Sequence, residues 1–149
     1  MNHKTKLSTT AALFALLLIA SPALAKKDID WDKRLAKGYH EMSIGNYEQA
    51  VKMFGADVDK HPESGAARTA LGMALKRQGK MGEAKSSFRR ATEVEPGFAD
   101  GHYELGAMLE NDKEFSEAVK SFERYLQLAP LSSKKQSVED RIRFCRQKI

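Results

Sequence analysis

Cysteine is almost missing from this chain of 149 residues, where Cys145 is the single example. A lone thiol closes no internal disulfide, so the fold has to be held by packing. Proline is scarce too, with four residues, and Trp31 is the only tryptophan. Long hydrophobic runs are also lacking. The longest, Ala11 to Ala20, has ten residues, and at about 1.5 Å per helical residue it covers about half of a ~30 Å hydrocarbon core. No stable membrane span is expected from it. The net charge of +5 is too mild to imply a nucleic-acid partner. Catalytic signatures are lacking as well. His40, His61 and His102 stand far apart, without cysteine or carboxylate at metal-ligand spacing. There is no glycine-rich phosphate loop and no nucleophile motif. The carboxylates are spread as solvated helix faces are. We therefore expect no catalytic residues, no metal, no cofactor and no enzymatic activity.

What is present begins with a three-part N-terminus. Lys4 and Lys6 precede the apolar run, Ser21-Pro22 interrupts it, and Ala23-Leu24-Ala25 places two small residues two apart. Basic, apolar, then small is the layout of a secretory signal peptide. Cleavage after Ala25 is expected, with residues 1–25 removed and a mature chain starting at Lys26, periplasmic or secreted. No cysteine follows the cleavage point, so no lipid anchor is expected there. The far end is basic. Residues 131–149 carry six Lys or Arg against Glu139 and Asp140, and cations in a last turn suit the helix dipole.

Between these ends the sequence repeats. Gly38, Gly72 and Gly106 are 34 residues apart, as are Ala50, Ala84 and Ala118, Phe54, Phe88 and Phe122, and Pro62, Pro96 and Pro130. Four landmarks recurring together at one period define a structural repeat. The small pairs Gly38/Ala50, Gly72/Ala84 and Gly106/Ala118 let two antiparallel helices approach closely, and the phenylalanines are expected to fill the space between consecutive hairpins. Gly45 and Gly79 supply left-handed helix ends, while the prolines stop each second helix. The spacing predicts helices over 32–44, 47–60, 65–78, 81–94, 99–112 and 115–128, and no strand. A further helix over 133–149 carries Val138, Ile142, Cys145 and Ile149 as one narrow apolar stripe, which makes Cys145 a small core residue. Trp31 either folds back as a hydrophobic staple or stays exposed as an anchor.

Leu71-Gly72, Leu105-Gly106, Asn46-Tyr47-Glu48-Gln49-Ala50, Lys80-Met81-Gly82-Glu83-Ala84 and Glu114-Phe115-Ser116-Glu117-Ala118, each alanine followed by its phenylalanine and proline, resemble the tetratricopeptide-repeat (TPR) family. The resemblance covers residues 31–132, divided into repeats 31–64, 65–98 and 99–132. It implies an all-α solenoid of three helical hairpins, with 133–149 as a C-terminal capping helix. The match has departures: Arg34, Arg68 and His102 hold a position that is usually large and apolar, Lys37 replaces a leucine, and Lys113 stands where a glycine is usual.

In the TPR family the first helix of each hairpin lines a concave binding groove. The corresponding residues here are Asp32, Leu35, Tyr39 and Met42; Ala66, Thr69, Met73 and Lys76; and Asp100, Tyr103, Ala107 and Glu110. Lys134, Ser137, Arg141 and Phe144 follow in the same register, and Glu104 joins Asp100 and Glu110 as an acid on that face. The resemblance thus implies a partner-binding groove whose candidate residues are Leu35, Tyr39, Met42, Thr69, Met73, Lys76, Tyr103, Glu104, Glu110, Arg141 and Phe144. Its function would be that of an exported adaptor or scaffold binding a peptide or protein partner. The rival reading is a self-assembling structural protein of the cell envelope, a homo-oligomer. Co-chaperone members of the family grip a C-terminal carboxylate with Lys, Asn and Arg. The matching residues here are Leu35, Tyr39, Ala70, Asp100 and Glu104, so that clamp is not expected.

Overall fold

A computed structural model describes the backbone over residues 22–149 and the side chains from Trp31 onward. Most of the expected leader, residues 1–21, lies outside the described residues. The described chain holds seven α-helices and no strand: α1 (Pro22–Ser43), α2 (Tyr47–Lys60), α3 (Gly65–Arg77), α4 (Met81–Val94), α5 (Ala99–Asn111), α6 (Phe115–Leu128) and α7 (Lys135–Arg146). No described helix is long and apolar enough to cross a membrane. The chain divides into two units, Met1–Arg34 and Leu35–Ile149. Within the first, the Arg34 guanidinium lies 5.9 Å from the centre of the half-buried Trp31 ring.

The helix ends follow from local chemistry. Gly45 and Gly79 take φ of 81° and 85°, and Lys113 takes 63°. At each of these turns the next amide donates back across the helix end: Asn46 to Glu41 O at 2.8 Å, Lys80 to Leu75 O at 2.9 Å and Glu114 to Leu109 O at 2.8 Å. That bond closes a left-handed cap on α1, α3 and α5. The second helix of each hairpin stops just before a proline. His61, Glu95 and Ala129 precede Pro62, Pro96 and Pro130 and have φ of −133°, −136° and −129°, because the proline ring excludes the helical region for the residue ahead of it. At the start of α3, Ser64 Oγ accepts from the Ala67 amide at 3.1 Å, and the Glu95 carboxylate accepts from the Gly65 amide at 2.7 Å.

One end differs from expectation. The first helix starts at Pro22 rather than Asp32 and runs unbroken through Ala25 and Lys26. Proline is well tolerated in a first turn, where its missing N–H has no intrahelical partner to lose, and residues 23–31 contain no glycine or proline to stop the helix.

Packing gives the repeated glycines a sharper role than helix approach alone. A Cβ on Gly38, Gly72 or Gly106 would lie 2.4, 2.6 or 2.7 Å from the ring of Phe54, Phe88 or Phe122 respectively. Each phenylalanine therefore rests on the glycine of its own hairpin, and all three rings are wholly buried. They also reach the next layer: Phe54 clusters with Ala50, Ala70 and Ala74, while Phe88 and Phe122 belong to a larger core from Leu75 to Cys145. Burying each ring contributes about 1.5–3 kcal/mol. From α2 to α7 successive helices pack on one another, and α3 also touches α5, so the first helices of the second and third hairpins share a side of the stack. On α7, Val138, Ile142 and Cys145 are buried, but Ile149 lies beyond the helix end and is 73% exposed. The apolar stripe is thus three residues long. A 2.6 Å hydrogen bond between Tyr125 Oη and Ser132 Oγ fastens the connection into α7.

Candidate functional site

Along the side shared by the first helices lies a groove of about 460 Å³. It is lined by Leu35 and Tyr39 from α1, Ala66, Thr69 and Met73 from α3, Phe98 just before α5, Asp100 and Glu104 on α5, and Lys134 just before α7. Spacings of three and four residues place these side chains on one face of each helix. A second cavity of about 320 Å³ adjoins it at Tyr39, with Met42, Ser43, Tyr47 and Arg77.

The structure brings Leu35, Tyr39, Thr69, Met73 and Glu104 of the expected residues into one groove, and Met42 into the adjoining cavity. The others are engaged elsewhere. Lys76 reaches from α3 to α5, where its ammonium meets Glu104 Oε2 at 2.5 Å, and it lies 5.7 Å from the Phe88 ring centre. Arg141 on α7 donates through Nε to Glu110 on α5 at 2.6 Å. The same guanidinium covers the Phe122 ring at 4.6 Å and Tyr103 at 5.7 Å. Tyr103 packs on Tyr125 with ring centres 5.3 Å apart and carries the Lys134 ammonium at 4.3 Å. Phe144 meets Phe115 edge-on at 6.1 Å. Neither Tyr103 nor Phe144 lines the groove, because each ring is held against an aromatic of α6.

Phe98 is the lining residue that sequence reasoning missed. It directly follows Pro96-Gly97 and stands outside the helical register, so periodicity carries no signal for it. Its signal is a lone aromatic in a turn of polar and small residues.

The electrostatics are uneven. Burial, and after it the charges of Asp100 and Glu104, holds the Tyr39 phenol above its ordinary value of 10.0. Glu104 has Lys76 as counterion, whereas Asp100 has no ion pair among the described residues. Lys134 contributes a cation to the same groove. Thr69 is almost wholly buried, and its Oγ1 makes no hydrogen bond among the described residues. No group of three His, Cys, Asp or Glu side chains among the described residues could hold a metal ion. The groove can therefore offer apolar contact, one acid and one cation to a ligand.

Solved structures of similar shape include the TPR2B domain of yeast Sti1 in its complex with pHsp70, at 16% identity, with a TM-score of 0.70 over 79% of this chain and 97% of that one. The first TPR of Spaghetti (RPAP3) bound to an HSP90 peptide is 23% identical, with a TM-score of 0.67 over 76% of this chain and 88% of that one. The Yersinia enterocolitica type III secretion chaperone SycD, in complex with a peptide of the translocator YopD, is 15% identical, with a TM-score of 0.70 over 80% and 94%. These likenesses concern the fold. In sequence, the tetratricopeptide-repeat profile matches residues 35–84 and 69–133, which together span most of the hairpin stack. The chain belongs to the tetratricopeptide-repeat family.

Proposed function

We propose that this protein is an exported adaptor that holds a peptide segment of a protein partner in the groove between α1 and α7. The observation that carries the reading is the lining itself. Leu35, Tyr39, Met73 and Phe98 present apolar surface in one concavity, flanked by Asp100 and Lys134. A concave, mostly apolar site with a few polar groups is the ordinary form of a ligand site. Peptides bound by the similar RPAP3 and SycD structures lend the fold as precedent. Export rests on the basic, apolar and small-residue order of residues 1–25, and would make the working chain a periplasmic or secreted protein. We propose no catalytic step.

The test is a display selection of random peptides on the mature chain, followed by titration of the enriched peptides against Tyr39→Ala and Met73→Asp. Large side chains in a binding concavity cost about 1–4 kcal/mol when truncated, so each variant is expected to weaken binding by about tenfold or more. Thermal melts check that both variants fold, since Tyr39 packs edge-on against Phe54 at 5.4 Å. Peptides that bind both folded variants as tightly as the parent chain would move the site off this groove. A mature chain that assembles with rising concentration, and selects no peptide, would favour the structural alternative.

A further inference from the structure

The charges in the groove say which peptide it takes, and this inference rests on the peptide-binding reading above. Internal ion pairs account for part of the charge on this side of the stack. Lys76 meets Glu104 at 2.5 Å and Arg141 meets Glu110 through Nε at 2.6 Å, so these four groups already have counterions. Two charges do not. Asp100 is exposed and makes no ion pair among the described residues, and the Lys134 ammonium is held only over the Tyr103 ring at 4.3 Å. Both line the same groove, yet they do not pair with each other.

We infer that the groove selects a peptide segment carrying a large apolar side chain beside a lysine or arginine, the apolar group resting on Leu35, Tyr39 and Met73 and the cation meeting Asp100. Three features favour this occupant. The floor is apolar and includes the flexible Met73 thioether, which adapts to differing apolar shapes. The negative field of Asp100 and Glu104 is already felt at Tyr39, across the groove on α1, where it helps to hold the phenol protonated. The same field repels an acidic side chain or a C-terminal carboxylate placed there, whereas a ligand cation would gain a counterion that the protein itself leaves open. Lys134 then favours an acidic or neutral residue further along the peptide.

The probes are acetylated and amidated nonapeptides with a central Phe, Leu or Met followed by Lys, Gln or Glu, and Ser and Gly elsewhere. They are titrated by fluorescence polarisation against the mature chain and its Asp100→Asn, Asp100→Lys and Met73→Asp variants. An exposed ion pair is worth up to about 1 kcal/mol, so the Lys peptides should bind about three- to fivefold tighter than the Gln peptides, and the Glu peptides weakest. Asp100→Asn should bring Lys and Gln peptides to within about twofold, Asp100→Lys should invert the order, and about 0.5 M salt should flatten it by screening. Asp100 is exposed, so these variants are expected to fold, which circular dichroism checks. Equal binding of Lys, Gln and Glu peptides, or an order that survives Asp100→Lys, overturns the cation preference while leaving the groove itself in place if Met73→Asp still weakens binding. Peptides that bind Met73→Asp undiminished overturn both readings. Failure of the whole set to bind, alongside display-selected peptides that do occupy the groove, overturns the preference alone.

Discussion

Lys113 closes α5 in the left-handed region with φ of 63°, where Gly45 and Gly79 close the equivalent helices. A side chain in that conformation costs about 1–2 kcal/mol relative to the right-handed region, and glycine escapes most of this at a smaller entropic cost. The backbone bond from Glu114 N to Leu109 O at 2.8 Å shows that the cap forms despite lysine. Lys113→Gly is therefore expected to stabilise the fold by about 0.5–1 kcal/mol, read as a rise in melting temperature. A fall would mean that the Lys113 side chain contributes more than its backbone costs. The opposite substitution elsewhere has the opposite sign for a different reason. Alanine at Gly38, Gly72 or Gly106 would drive a methyl into the ring resting on it, and overpacking of that kind costs about 1–3 kcal/mol.

At the scale of the element, α7 decides whether the stack ends cleanly. Val138, Ile142 and Cys145 close the side of α6 on which Phe122 and Tyr125 lie, and Arg146 pairs with Glu123 on that helix. Burial pushes the Cys145 thiol above its usual range, in keeping with a packed and unreactive group. Val138→Asp would place a carboxylate where no side-chain surface is exposed, so the helix should detach and expose the repeat beneath it. We expect the melting temperature to fall by about 10 °C or more, at about 4–8 °C per kcal/mol in a domain of this size. Phe144→Ser removes one edge-on contact with Phe115, worth about 0.5–1.5 kcal/mol, and should cost far less. Melting of Val138→Asp together with the parent chain would make α7 a detachable tail. The start of α1 shows the reverse effect: proline, elsewhere the stop signal, opens a helix when it stands in the first turn.

Across the whole molecule, stability should form a plateau in pH with an identifiable group at each edge. Burial holds the His102 imidazole below its ordinary 6.5, more than its contact with the Pro96 carbonyl at 3.0 Å offsets. A depressed imidazole leaves the unfolded chain binding the proton more readily, so its contribution is present above 6.5 and is lost as pH falls below it. On the alkaline side, hydrogen bonds to Asp112 and Glu114 raise the Lys85 ammonium above 10.5, so its contribution is present below 10.5 and lost above. Tyr39 is raised by burial and by the charges of Asp100 and Glu104, so its ionisation is easier in the unfolded chain and lowers stability as pH climbs past 10.0. Denaturant melts across this range should show His102→Gln with a flatter acid edge between pH about 7 and 5, and Tyr39→Phe with a flatter alkaline edge. Edges unmoved by either change would assign them to other groups.

Much of this architecture was written in the chain order. A 34-residue recurrence of Gly, Ala, Phe and Pro specifies hairpins because each landmark acts locally: proline halts a helix by its own ring, glycine reverses the chain by its own dihedral, and alternating faces follow from helical pitch. The positions of α2 to α6 were legible for that reason, as was the buried run of Val138, Ile142 and Cys145. The site was legible only in part. The family resemblance assigned Leu35, Tyr39, Thr69, Met73 and Glu104 to the groove-lining face of their helices, but a register says nothing about which groups meet across helices. That Lys76 neutralises Glu104, that Arg141 and Lys134 roof Tyr103, that Phe144 turns to Phe115 and that Phe98 enters the lining all depend on the spacing and rotation between hairpins. Those follow from how Phe54, Phe88 and Phe122 pack onto the layer that comes next. Local chemistry determined the elements, and only packing among distant side chains decided which charges in the groove find a counterion within the protein.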